Sequence, residues 1–357
     1  MSHLEVRLEH DLLEIRERVA DMGSAVEQGL ENSFVALQNA DEKLAFSTIL
    51  SDLPINRKMR KIDKLCHAFI AVHLPSAGHL RLLSSVIRAN IILERIGDYA
   101  VTIARESVQM GAAPEGRMKT DLGRISSEVM LVLRESIRAF NDVNAERARS
   151  SIKLADQVEH NMDGIYADLL NSPDNDVKRT TMISLILYSQ IKRVADQAKN
   201  LAEETIFIET GETKAPKIYR ILFVDEDNSY LGPMAVLIAR KIFPDVGVYS
   251  SAGVNQAETL NPDMIGFMQN RSIDLDDVSP KKLDKRRESL SEYHVIVGLN
   301  QSVKEAVGEI PFRTSALNWD ENEIPQSNDA DAWETLYKNL AIQIRELMLL
   351  LRGEESS

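Results

Sequence analysis

The sequence predicts a multidomain α plus α/β protein. It reads as two tandem sets of three long helices, over residues 1–114 and 115–214, then a small α/β domain with a parallel sheet over 217–357. Three observations carry this. Apolar residues recur at steps of three and four through most of 3–210, the period of a helix with one buried face. That pattern is cut by a Pro/Gly break and then restarts, so the helical part is an internal repeat of about a hundred residues. Beyond 217, short β-rich runs alternate with helix-like stretches, the order expected of strand–helix–strand units.

The elements follow in chain order. In LEVRLEHDLLEIRERVADMGSAVEQGLENSFVAL, residues Leu4, Leu8, Leu12, Ile15, Val19, Met22 and Val26 form one apolar stripe, hence a first helix. A second helix is expected over 41–73, ended by PSAG at 75–78, and a third over 79–110, ended by GAAPEG at 111–116. The restart gives a helix over 118–142 with Leu122, Ile125, Val129, Val132 and Ile137 on one face. Two more follow, over 145–171, closed by NSPDND, and over 176–209. The third helix of each set carries a related core, LERIGDYAVTIARE at 93–106 and IKRVADQAKNLAEE at 191–204. Helices of ~30 residues reach ~45 Å, and short connections favour antiparallel neighbours in elongated bundles. After ETGETKAPK at 209–217, the segments YRILFV and YHVIVGL (293–299) read as strands, and AWETLYKNLAIQIRELMLLLRG as a closing amphipathic core helix.

Bulk properties narrow the function classes. Aromatic residues are 5% of the chain against 44% apolar, so cores of aliphatic side chains are expected. The net charge of −13 argues against a nucleic-acid binder, which is usually basic. One cysteine, Cys66, excludes a disulfide framework and reads as a buried thiol on an amphipathic helix. The histidines show no metal-ligand spacing. No apolar run reaches the ~18 to 20 residues of a membrane span and no signal peptide is apparent. A cytoplasmic protein without membrane insertion is expected.

On the third helix, Asn90, Glu94, Asp98 and Thr102 are spaced by four and share one face, flanked by apolar Ile91, Leu93, Ile96, Val101 and Ile103. Two readings stand. The stripe is a solvated face, its acids screened by Arg95 and Arg105, or a hard-cation site completed by oxygens from a neighbouring helix. The segment ERIGDYAVTIA, with EIRERVADMGSAVEQGLENSFVAL before it and PSAGHLRLLSSVIRANIILERIGDYA around it, resembles the PhoU-type phosphate-uptake regulators. The resemblance spans about residues 4–210, duplication included. It implies two three-helix bundles and, as in several members, a metal cluster on each, held by E-x-x-x-D and a polar residue four positions on. Glu94 and Asp98 match that pattern, with Thr102 third. In the second half Asp196 and Asn200 match, but Lys192 stands where Glu is expected, and a charged ammonium has no lone pair for a metal. The implied cofactor is an iron, zinc or manganese ion on the first bundle. The implied partners are the ATP-binding subunit of a phosphate ABC transporter and a phosphate-responsive sensor histidine kinase, both met at the inner membrane surface. A homodimer is common in the family.

The segment ILFVDEDNSYLGPMAVLIAR at 221–240 hands a strand to a helix, a junction that often holds phosphate in α/β proteins. Here the turn is filled by Asp225, Glu226 and Asp227. With YSSAG, NPDMIGFM, SIDLDDVSPKKL and YHVIVGLN following in order, it resembles low-molecular-weight protein tyrosine phosphatases and arsenate reductases of that fold. This implies a four-stranded parallel sheet with helices on both faces. Such chemistry needs a Cys thiolate opening the loop, an Arg six residues later to clamp phosphoryl oxygens, and an acid, usually in Asp-Pro. Registered on GPMA, the Cys and Arg positions hold Asp225 and Leu231, while Asn228, Ser229, Gly232, Pro233 and Met234 keep the loop frame. No Asp-Pro occurs, and Asp320 and Glu323 are the nearest counterparts of the acid. Asp225 reads as an internal cap or as part of a retooled ligand pocket or partner surface. ILFVDED also looks like the first strand of a receiver domain, but the later segments follow the phosphatase order.

The expectation is a non-enzymatic regulator of phosphate uptake and phosphate-starvation signalling with a pseudo-phosphatase module. The alternative is a metal-dependent phosphohydrolase using the helical carboxylates or the 225–227 turn.

Overall fold

The computed structural model describes residues 3–170, 178–214, 217–275, 278–311, 313–319 and 330–352. The chain divides into two compact units, Met1–Ala215 and Pro216–Ser357.

The first unit is helical: α1 (His3–Asn39), α2 (Glu42–Leu50), α3 (Asp52–Val72), α4 (Ala77–Met110), α5 (Gly116–Asp142), α6 (Ala145–Leu170) and α7 (Lys178–Thr210). The single helix expected over 41–73 is two. Pro54 has no N–H to give to the Leu50 carbonyl, and the chain bends at Ser51, whose hydroxyl donates to Thr48 O at 2.6 Å. The NSPDND break lies outside the described residues. A capping box of Ser76 and His79 starts α4, and Gly111 at φ 69° ends it, a left-handed turn that glycine adopts without Cβ strain.

Helices α1, α3 and α4 form one bundle, α5, α6 and α7 the other, and α4 packs along α7. One continuous core, from Leu12 to Leu201, therefore runs through both. The repeat is visible in that packing. Ala36, Ala45 and Ala104 meet in a small cluster in the first half, and Ala139, Ala148 and Ala202 meet in the second. Cys66 is fully buried, and burial pushes its thiol up to about 12. No helix among the described residues is long and apolar enough to cross a membrane.

The second unit is a four-stranded parallel sheet in the order β2-β1-β3-β4, built from β1 (Tyr219–Asp225), β2 (Gly247–Gly253), β3 (Val295–Gly298) and β4 (Ser315–Asn318). Side chains alternate across β1. Ile221 and Phe223 join a core with α8 (Leu231–Ile242), α9 (Pro262–Gln269) and α12 (Ala330–Arg352). Leu222 and Val224 face the other way, onto Leu283, Leu290 and α11 (Val303–Val307). With β1 central and its neighbours entered from opposite directions, the loop after β1 sits at the switch point at the carboxyl ends of the strands, where α/β folds place ligands.

Candidate functional site

The loop joining β1 to α8 is built around one carboxylate. Asp225 is 1% exposed. Its Oδ1 accepts from Asn228 N at 2.7 Å and its Oδ2 from Gly232 N at 2.9 Å, at the first turn of α8. Burial raises its pKa to about 6; the two amide donors pull it down, and Asp227 pushes it up. These are amides that a strand–turn–helix loop would turn to an anion. Here they are taken by an acid of the same loop. Of the two readings open from sequence, the internal cap is the geometry found.

The frame around it is tightly fitted. Asn228 is fully buried at φ 57°, a left-handed conformation that Asn tolerates. Its Oδ1 accepts from Lys281 N at 3.0 Å and from Ser251 Oγ at 3.4 Å, while its Nδ2 is buried without a partner. A Cβ on Gly232 would lie 2.5 Å from that Nδ2, so glycine is required there. Ser229 N donates to Asp227 Oδ1 at 2.9 Å, and Ser229 O accepts from Asn261 N at 3.0 Å. Leu231, which the sequence resemblance registers with the phosphate-clamping Arg, is fully buried in the core. The chain's single cysteine is Cys66, so this unit contains no thiol. Asp320 and Glu323 lie outside the described residues.

The helical stripe is arranged differently in the two halves. In the first, Asn90 is buried and clamps α3, its Nδ2 donating to Met59 O at 2.9 Å and to Asp63 Oδ1 at 2.8 Å. Glu94 and Asp98 gather with Asp52 of α3. Burial first, then repulsion from Asp98 and Asp52, raises the pKa of Glu94; burial, then Asp52, raises that of Asp98. Thr102 is occupied otherwise, its hydroxyl donating back to Asp98 O at 3.0 Å. In the second half Lys192 turns into the stripe. Its Nζ lies 3.3 Å from Asp196 Oδ2 and 3.8 Å from Glu159 Oε1, and Lys199 Nζ lies 2.5 Å from Asp156 Oδ1. Asn200 follows one turn beyond Asp196 on α7.

Oxygen donors suit a hard cation, and the first-half acids crowd one another, with Arg95 only partly offsetting the rise at Glu94 and Arg105 that at Asp98. Among the described residues, however, no three His, Cys, Asp or Glu side chains stand ready to hold one metal. The second half supplies its own cation through Lys192. Sequence reasoning missed Asp52, because only tertiary packing of α3 on α4 brings it to the stripe. It missed Ser251 and Lys281 for the same reason.

Fold and sites together define a duplicated three-helix-bundle protein joined to an α/β domain of phosphatase type. The chain carries two PhoU domains, matched over residues 19–107 and 122–205, and a low molecular weight phosphotyrosine protein phosphatase domain, matched over 220–323. It is 29% identical over 214 residues to the phosphate-specific transport system accessory protein PhoU homolog of Pseudomonas aeruginosa, covering 58% of this chain and 88% of that one. Its likeness to PhoU of Escherichia coli strain K12 is 26% over 213 residues, covering 59% and 88%. The crystal structure of PhoU from Pseudomonas aeruginosa matches with a TM-score of 0.54 at 29% identity, covering 57% of this chain and 99% of that one.

Proposed function

We propose that this protein regulates phosphate transport and phosphate-starvation signalling through protein partners, and that its phosphatase-type domain does not catalyse. The transport role rests on the relatives, which are accessory proteins of the phosphate-specific transport system. The non-catalytic reading rests on one observation: the Asp225 carboxylate holds the loop amides of Asn228 and Gly232. A carboxylate ~4 Å from a phosphate dianion would oppose binding by a few kcal/mol at an effective dielectric of about 20. Neither a thiolate nor a guanidinium stands in that loop to offset this.

The test is aryl-phosphate hydrolysis by the full chain, with and without manganese or iron. No turnover above buffer is expected in either. Turnover that Asp225→Asn abolishes would sink the non-catalytic reading and support the metal-dependent hydrolase instead.

The partners proposed are the ATP-binding subunit of a phosphate ABC transporter and a sensor histidine kinase, engaged from the cytoplasm, with the protein as a homodimer. Pull-downs from cells grown at high and low phosphate check this, and recovery of neither partner under either condition overturns it. An iron, zinc or manganese ion on the first bundle is part of the same reading. It is supported by the crowding of Asp52, Glu94 and Asp98. Equal metal content in the wild type and Glu94→Ala/Asp98→Ala removes the site.

A further inference from the structure

The solvent face of α2 and α3 concentrates two features that seldom share one surface. Between Arg57 and Lys64 the chain has five cations and one carboxylate, in a protein of net charge −13. Arg57, Arg60, Lys61 and Lys64 are all exposed, at helical steps of three and four. Lys61 approaches Glu14 only to 4.0 Å, and Arg57, Arg60 and Lys64 have no ion pair among the described residues. The fifth cation, Lys58, turns to the flank and pairs with Asp21 of α1. The two carboxylates of α3 are turned inward onto α4: Asp63 bonds Asn90, and Asp52 lies against Asp98. The outer face of α3 is therefore purely cationic in its middle turns.

The same side continues into apolar residues. Phe46, Leu50 and Leu53 are 52%, 69% and 60% exposed. They precede Arg57 at the spacing that keeps one helical face outward through the bend at Ser51. Burying these side chains in the unit's own core was open to a sequence that buries Ala45, Thr48 and Ile55 on the opposite side of the same helices. A large apolar patch left in water marks an interaction surface.

We propose that this face docks on an anionic lipid bilayer. The cations are long side chains in a row, and Arg57, Arg60 and Lys64 hold no carboxylate among the described residues. They suit the diffuse negative charge of a headgroup layer, where each Lys or Arg adds roughly fivefold to partitioning. Phe and Leu beside such a row are the side chains that enter the headgroup–acyl boundary. A helix's outer face is convex and meets a planar surface along its length, about 30 Å for α3 at 1.5 Å per residue. The inference adds a direct lipid contact to a protein proposed to act through partners.

Co-sedimentation of the full chain with phosphatidylcholine vesicles, with and without phosphatidylglycerol, tests it. Binding is expected only with phosphatidylglycerol and is expected to fall steeply with added salt. Arg57→Gln/Arg60→Gln/Lys64→Gln should weaken it by at least about tenfold. Phe46→Ser/Leu50→Ser should weaken it while leaving its salt dependence intact. All five positions are exposed, so unchanged helical circular dichroism shows that the variants remain folded. Equal binding to both vesicle types overturns the proposal, as does a triple variant that binds like wild type. Absence of vesicle binding also overturns it and leaves an acidic protein surface as the occupant.

Discussion

The two halves of the helical repeat keep the same core and have exchanged their polar stripe. Ile96 and Val194 hold equivalent places on α4 and α7 and are both fully buried. The alanine clusters around Ala104 and Ala202 are likewise paired. Two residues before each of those core positions stand Glu94 and Lys192. In the first half acids crowd one another and their pKa values rise. In the second an ammonium sits between Asp196 and Glu159. Core positions are constrained by close packing, which penalises any change in volume. The stripe is constrained only by charge balance, and a lysine of the chain can supply what a bound cation would.

The shared core gives the largest expected effect. Ile96→Ala should cost about 2 to 5 kcal/mol, as buried Ile-to-Ala changes do. Val194→Ala removes less volume and should cost less. Thermal unfolding followed by helical circular dichroism measures both. If either loss is under about 0.5 kcal/mol, the surface range, the claim of a common packed core fails for that half.

The exchanged stripe is tested by reversing the exchange. Lys192→Glu removes the ion pairs to Asp196 and Glu159 and adds a third carboxylate to them. Without metal, destabilisation on the order of 1 kcal/mol is expected, since the lost pair is partly exposed. Added manganese should then raise the melting temperature of the variant more than that of the wild type. A variant indifferent to manganese would mean that charge alone does not make the second stripe a metal site.

Much of this organisation was legible in the sequence. The period of three and four fixed the long helices because each buries one face, and the break at GAAPEG marked the join between halves. Pro54 was visible too, but the period ran smoothly across it, so the bend at Ser51 was not foreseen. The strand–turn–helix at 221–240 was readable because β1 is apolar and α8 opens with Gly232 and Pro233. The role of Asp225 as a cap was one of two open options, and choosing between them required the distances to Asn228 N and Gly232 N. Lys192 was marked by its type alone; that it turns into the stripe depends on Glu159, contributed by another helix. Contacts such as Asp52 with Asp98 leave no periodic trace, because their sequence separation is set by where α3 and α4 cross.

The smallest effect is the one that separates the halves most cleanly. Glu94 and Asp98 have pKa values above the ordinary 4.5 and 3.8, chiefly through burial. The folded state therefore binds more protons than the unfolded state in the window that begins at those ordinary values. Linkage then requires stability to fall as pH rises through that window. The contribution is fully present below about pH 4 and is gone once both acids are ionised in the folded protein. Asp98 is exposed, so solvent screens its share and the slope is shallow. Glu94→Gln/Asp98→Asn should flatten the dependence, since neither amide titrates, and should make the protein more stable than wild type near neutral pH. A manganese ion bound at the stripe would flatten the wild-type curve in the same way, by favouring the ionised acids. Melting temperatures across the acid range, with chelator and with manganese, read both effects. If the double variant keeps the wild-type slope, the acids of α4 are simply solvated and the difference between the two halves has no energetic meaning.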